Sequence, residues 1–155
     1  MPKSTTRIVL AATLLVPLAS CGKGSTNPAL IGKWEGKVDK KVFYLTFEKD
    51  GQMTWGGDIA SMKDIFPSFA ILTDFGIHPG KNTPITYKCI SDTQLEVEGD
   101  LTAMLEKLSA GGDGRPSPDW KEKLRPKDTL TFAVSGKELT LTSSLGKSTK
   151  LQRAD

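Results

Sequence analysis

From Leu30 onward the apolar positions recur mostly at every second residue, the period of strands whose side chains alternate between core and solvent. In "KVFYLTFEKDGQMTW", Phe43, Leu45 and Phe47 alternate with Tyr44, Thr46 and Glu48, and Asp50-Gly51 turns the chain back into Met53 and Trp55. Asp-Gly between alternating runs predicts a hairpin, because glycine accepts the positive φ of a tight turn. Upstream, "LIGKWEGKV" sets Leu30, Trp34 and Val38 on one face. "PITYKCISDTQLEVEG" carries Ile85, Tyr87 and Cys89 inward, turns near Ser91-Asp92 and returns with Leu95 and Val97. In "DTLTFAVSGKELTLTSSLGKSTKLQR", Leu130, Phe132 and Val134 lead to a Ser135-Gly136 turn, then Leu139 and Leu141, then a turn at Leu145-Gly146 and a last strand with Leu151. The pattern predicts an all-β fold: an eight-strand antiparallel meander barrel or closed sandwich.

Two stretches break the period. "GDIASMKDIFPSFAILTDFGIHPG" has Ile59, Met62, Ile65, Phe66 and Phe69 at helical spacing behind Asp58 as N-cap, with Pro67 breaking or kinking the helix. "GDLTAMLEKLSAGG" predicts a second helix, capped by Asp100, striped by Leu101, Met104, Leu105 and Leu108, and stopped at Gly111-Gly112. A loop with one or two helical turns, from the cap Ser117 to Pro126, completes this part. The meander thus carries two helical insertions, over 58–80 and 100–127.

The N-terminus is organised differently. Lys3 and Arg7 precede an apolar run from Ile8 to Leu18, and small residues follow. This is the form of an export signal, and the run is too short to span a bilayer core of about 30 Å. Leu18-Ala19-Ser20-Cys21 resembles the lipobox of bacterial lipoproteins. The resemblance implies removal of residues 1–20, a diacylglyceryl thioether on Cys21, and a further palmitate-type acyl chain on the new amine. Multiple acyl chains hold a protein to a membrane stably where one does not. Residues 21–29 read as a flexible tether reaching at most about 28 Å, and 30–155 as the domain. The protein is therefore expected in the cell envelope, anchored through Cys21. Gly22 in place of an aspartate implies the outer membrane, facing the periplasm, if the cell has two membranes.

Removing Lys3 and Arg7 takes the 21 basic residues to 19 against 18 acidic ones, so the net charge of +3 falls to +1. A nearly neutral domain makes no electrostatic case for nucleic acid. With Cys21 lipidated, Cys89 is expected to be a lone, buried, inert thiol, leaving the domain without a disulfide.

Gly32-x-Trp34 at the start of an eight-strand meander is similar to the lipocalin-like (calycin) barrels. In that family the tryptophan closes the barrel floor and an arginine near the end of the barrel packs over its indole. The resemblance assigns the second role to Arg153, in phase with Leu151, and makes Gly32, Trp34 and Arg153 structural residues of the floor. A second motif of the Thr-Asp-Tyr type is absent from the sequence.

No residue set for catalysis emerges, and no cofactor or metal is expected. His78 is the only histidine and sits in a Gly-Ile-His-Pro-Gly loop. Glu96 and Glu98 share the outer face of one strand rather than a cleft. A non-enzymatic binding function is expected instead: a barrel taking a small apolar or amphipathic ligand against Phe43, Leu45, Trp55, Phe66, Phe69, Tyr87 and Phe132. In that reading the aromatic insertion is a gate. The alternative is a filled barrel, plugged by the insertion, that acts on an envelope protein through its loops as an interaction or inhibitor module. "WKEKLRPK" interleaves Lys121, Lys123, Arg125 and Lys127 with Trp120 and Leu124 and reads as a solvated loop.

Overall fold

The computed structural model describes residues 25–70, 72, 84–103 and 124–154, the Ile59 side chain excepted. Eight strands close into a barrel in chain order: β1 (Gly32–Val38), β2 (Lys41–Phe47), β3 (Gln52–Gly57), β4 (Ile85–Cys89), β5 (Gln94–Gly99), β6 (Lys127–Ser135), β7 (Glu138–Thr142) and β8 (Ser148–Arg153). All neighbouring strands are antiparallel, and β1 closes the ring on β8 through Trp34↔Arg153, Glu35↔Gln152 and Gly36↔Leu151. The barrel rather than the sandwich is the outcome, and closure leaves no free sheet edge around the ring.

Period-two alternation carries through to burial. Phe43, Leu45 and Phe47 of β2, Ile85, Tyr87 and Cys89 of β4, and Leu130 and Phe132 of β6 are all buried. Their alternates face solvent. The Asp50-Gly51 hairpin forms as the sequence predicts: Gly51 has φ 82°, and the Gln52 amide donates to Asp50 Oδ1 at 3.0 Å. Gly136 (φ 60°) and Gly146 (φ 76°) serve the two later turns. The β1–β2 turn has no sequence signal of this kind, since Asp39 (φ 49°) and Lys40 (φ 69°) both lie in the left-handed region. A two-residue hairpin needs that conformation to match strand twist, and here ordinary residues adopt it.

The barrel has two unlike ends. One, the floor, carries the start of β1 and the β2–β3, β4–β5 and β6–β7 turns. The other carries the β1–β2 and β7–β8 turns and both insertions. The first insertion breaks at Pro67, as expected, but carries less helix than its apolar spacing predicts. Its described residues form a 3-10 turn (Ile59–Ser61), a short helix α1 (Met62–Ile65), and a second 3-10 turn (Pro67–Phe69). Pro67 has no amide hydrogen and pushes the preceding residue out of the helical region, so α1 stops at Phe66, with φ −122° and ψ 74°. Asp58 does not cap a backbone amide; its carboxylate accepts from Ser61 Oγ at 3.0 Å. In the second insertion only the start and end fall within the described residues. Asp100 Oδ1 accepts from the Thr102 amide at 3.0 Å where helical backbone begins. The expected stripe beyond Leu101, and the turn behind Ser117, lie outside the described residues.

Residues 25–29, expected as part of the tether, pack on the domain. Ser25 forms a β-bridge with Cys89, the Cys89 amide donating to the Ser25 carbonyl at 2.8 Å. Asn27 is buried and its Oδ1 accepts from the Ala29 amide at 2.9 Å. Local alternation carries no trace of this docking: Ser, Thr, Asn and Pro are tether-like in composition, and the partner is more than sixty residues away in sequence.

Candidate functional site

Three places in the fold gather side chains with functional potential: the floor, the barrel interior under the first insertion, and the outer wall along β4 and β5.

At the floor, Trp34 of β1 is fully buried and donates its indole Nε1–H to the Leu30 carbonyl at 2.7 Å. Arg153 of β8 stands opposite in register, its guanidinium carbon 4.4 Å from the indole centroid. Its Nη1 donates to the Ile31 carbonyl at 2.9 Å and its Nη2 to the Ala29 carbonyl at 2.8 Å. One planar fork thus ties the 29–31 segment across the floor while resting on an aromatic face. Gly32 allows this approach in two ways. Its φ is +125°, and a β-carbon there would stand 3.0 Å from Arg153 Nη1. The three residues singled out in the sequence are therefore brought together.

The interior gathers all seven residues expected around a ligand. Phe43, Leu45, Phe66 and Phe69 are fully buried, and Trp55, Tyr87 and Phe132 nearly so. Several of them are in ring contact. Trp55 packs against Phe66 (centroids 5.2 Å apart) and edge-on against Phe69 (5.5 Å). Tyr87 packs edge-on against Phe47 at 4.9 Å, an interior aromatic that belongs with the seven. The Tyr87 hydroxyl is already used, donating to the Glu48 carbonyl at 2.7 Å, and burial with nearby Asp50 and Glu48 pushes its pKa up to about 12. Two glycines make room for rings. A β-carbon on Gly36 would lie 2.2 Å from Phe43 Cζ, and one on Gly99 would lie 2.7 Å from Phe69 Cε1.

The insertion is fastened as well as packed. The Ser68 amide donates to Asp128 Oδ2 at 3.1 Å, and Ser68 Oγ donates to Asp128 Oδ1 at 2.7 Å. Asp128 is buried at the start of β6, and burial raises its pKa against the opposing pull of the Ser68 hydrogen bonds. Outside, Lys147 of the β7–β8 turn reaches Asp64 of α1 at 2.6 Å. One polar atom in this seat is left over: Trp55 Nε1 is buried and has no acceptor.

On the outer wall Glu96 lies between Lys88 (2.8 Å) and Lys127 (3.0 Å). Burial pushes its carboxyl up, but the two ammonium groups outweigh that and hold it below the usual carboxylate range. Shallow clefts of about 170 and 220 Å³ run along this wall, edged by Thr86, Lys88, Glu96 and Glu98, then by Glu98, Asp100 and Arg125. The charges neutralise one another pairwise, Arg125 lying 3.9 Å from Asp100. Of the basic run, Leu124 is buried and Arg125 and Lys127 point outward, while Trp120, Lys121 and Lys123 lie outside the described residues.

Cys89 corrects another expectation. It is buried, as alternation requires, but it is disulfide-bonded rather than a free thiol. The chain's other cysteine is Cys21, which lies outside the described residues, as does His78. Among the described residues no group of three or more His, Cys, Asp or Glu side chains stands ready for a metal ion. No helix among them is long and apolar enough to cross a membrane.

The site therefore defines a class by geometry: a closed, eight-strand up-and-down barrel, sealed at the floor by a Trp–Arg pair and packed with aromatic side chains under its first insertion. Comparison with known protein families, with curated proteins and with solved structures finds no match.

Proposed function

We propose that this protein is a bacterial envelope lipoprotein, held to the membrane through Cys21, whose lipocalin-like barrel is filled and which acts on an envelope protein through its loops. The observation that carries the filled reading is the seat of Phe69, whose ring takes the space beside Gly99 and meets Trp55 and Phe66. A barrel of eight strands is just wide enough for side chains to fill it, and packed rings leave a ligand no volume. The lipocalin likeness rests on Gly32, Trp34 and Arg153, and the anchor on the lipobox at the end of the export signal.

The anchor constrains the cysteines. A sulfur alkylated by a diacylglyceryl group has no valence left for a disulfide, so Cys21 has two exclusive fates. In the anchored form the Cys89 sulfur would not be bonded to Cys21. Denaturing alkylation without reductant, followed by mass measurement of the membrane fraction, separates the two. Acylated Cys21 with one alkylated thiol supports the anchor; an unacylated chain with no free thiol sinks it. Cys21→Ser is expected to leave the protein unprocessed or released.

One observation favours the second reading, a small amphipathic ligand admitted beneath the insertion. Trp55 Nε1 is a buried donor without an acceptor, and a ligand oxygen would satisfy it. Native mass spectrometry of the domain, delipidated and purified gently from its own cells, decides between the readings. The filled barrel retains no small molecule; a stoichiometric retained mass overturns it.

A further inference from the structure

We infer that the floor of the barrel faces the bilayer and that the end bearing both insertions is presented away from it; this rests on the anchor at Cys21. Leash length sets this orientation. The first described residue of the domain is Ser25, bridged to Cys89 at the floor end of β4. Thr26 continues along the same end, its Oγ1 donating to the Lys49 carbonyl of the β2–β3 turn at 3.5 Å. The segment then crosses the floor, pinned by Arg153 at Ala29 and Ile31. Only residues 21–24 remain between lipid and barrel, and fully extended they reach about 14 Å.

The barrel is longer than that. Strands of seven residues such as β2 run about 23 Å, and at a tilt of about 40° they give a barrel about 18 Å tall before its loops are added. Turning the insertions toward the membrane would lift Ser25 beyond the reach of its leash. The floor can approach the surface freely; the opposite end cannot.

Charge does not set this orientation. The floor-end turns carry Lys49 and Lys137 against Glu48, Asp50 and Asp92, with no basic excess to draw them to anionic headgroups. The constraint is the short covalent leash, which makes orientation depend on residues 21–24 and not on lipid charge. Presented outward are α1, the Pro67–Phe69 turn and the β7–β8 turn, whose Leu145 is 65% exposed, the one large apolar side chain so exposed among the described residues. The loops through which the domain is proposed to act are then those farthest from its own membrane.

The test uses full-length, processed protein reconstituted in phosphatidylethanolamine–phosphatidylglycerol vesicles with a headgroup-attached quencher. A dye is placed through an azide-bearing amino acid at Lys49 in one sample and at Leu145 in another. Quenching is expected to be at least twofold stronger at position 49. Equal or reversed quenching in vesicle-bound protein overturns the orientation alone. Protein left in the supernatant overturns the anchor, and the orientation with it. Inserting twelve Gly and Ser residues between Lys23 and Gly24 is expected to even out the two positions. An asymmetry that survives the insertion overturns the leash argument.

Discussion

The ring of Phe69 occupies the space that a β-carbon on Gly99 would take, with Cε1 2.7 Å from that position. A residue from a connecting segment thus depends on the absence of a side chain on β5. Gly99→Val is expected to unseat Phe69 and cost about 1–3 kcal/mol, the usual range for overpacking. Amide exchange should speed up over 62–69 while β1 and β8 keep their protection. Uniform loss of protection would mean that the insertion and barrel open as one unit.

Arg153 joins β8 to the segment that enters β1. Arg153→Leu removes two hydrogen bonds and strands the Ala29 and Ile31 carbonyls, at an expected cost of about 2–4 kcal/mol in urea denaturation. Arg153→Lys should recover less than half, since one ammonium cannot reproduce a planar fork lying on an indole. Full rescue by lysine would reduce the arginine's role to charge.

Asp128 makes stability depend on pH with a definite sign. Its folded pKa lies above the ordinary aspartate value because burial disfavours the carboxylate. Its contribution is therefore complete below the unfolded pKa and is lost as pH rises through the folded one. Asn at this position does not titrate and can still accept from the Ser68 amide. The stability of Asp128→Asn relative to the parent should accordingly be greater at pH 8 than at pH 3. A relative stability that falls with rising pH would place the carboxylate on the stabilising side instead.

Lys40 holds a left-handed backbone that favours glycine. Lys40→Gly gives the turn an Asp-Gly pair and is expected to raise stability by about 1 kcal/mol, read as a higher denaturant midpoint at unchanged slope. No gain would mean that the lost freedom of the unfolded chain offsets the relieved strain.

Much of the fold is legible in the chain because strand patterning is local. Each of β2, β4, β6 and β7 announces itself through alternate apolar residues, and Asp50-Gly51 and Ser135-Gly136 mark their turns. The meeting of Gly32, Trp34 and Arg153 is not recorded in periodicity, which does not reach from the first strand to the last. The Asp39-Lys40 turn was not legible either, because neighbouring strands force a conformation its residues do not favour. The first insertion was legible in part: the break at Pro67 was expected, but the described residues around it form shorter turns than their apolar spacing suggests.

The sequence by itself determined the alternation that makes an all-β domain, the near balance of charge, and the inward direction of Cys89. Only the tertiary structure decided that the ring closes through Trp34 and Arg153, that Ser25 to Leu30 belong to the floor, and that Phe69 sits in the space Gly99 leaves. It also gave Cys89 a disulfide where a free thiol was expected. The physical reason is range. Side-chain alternation is set by a residue's immediate neighbours, whereas ring closure, plug seating and a docked terminus depend on atoms dozens of residues apart, whose meeting no local pattern records.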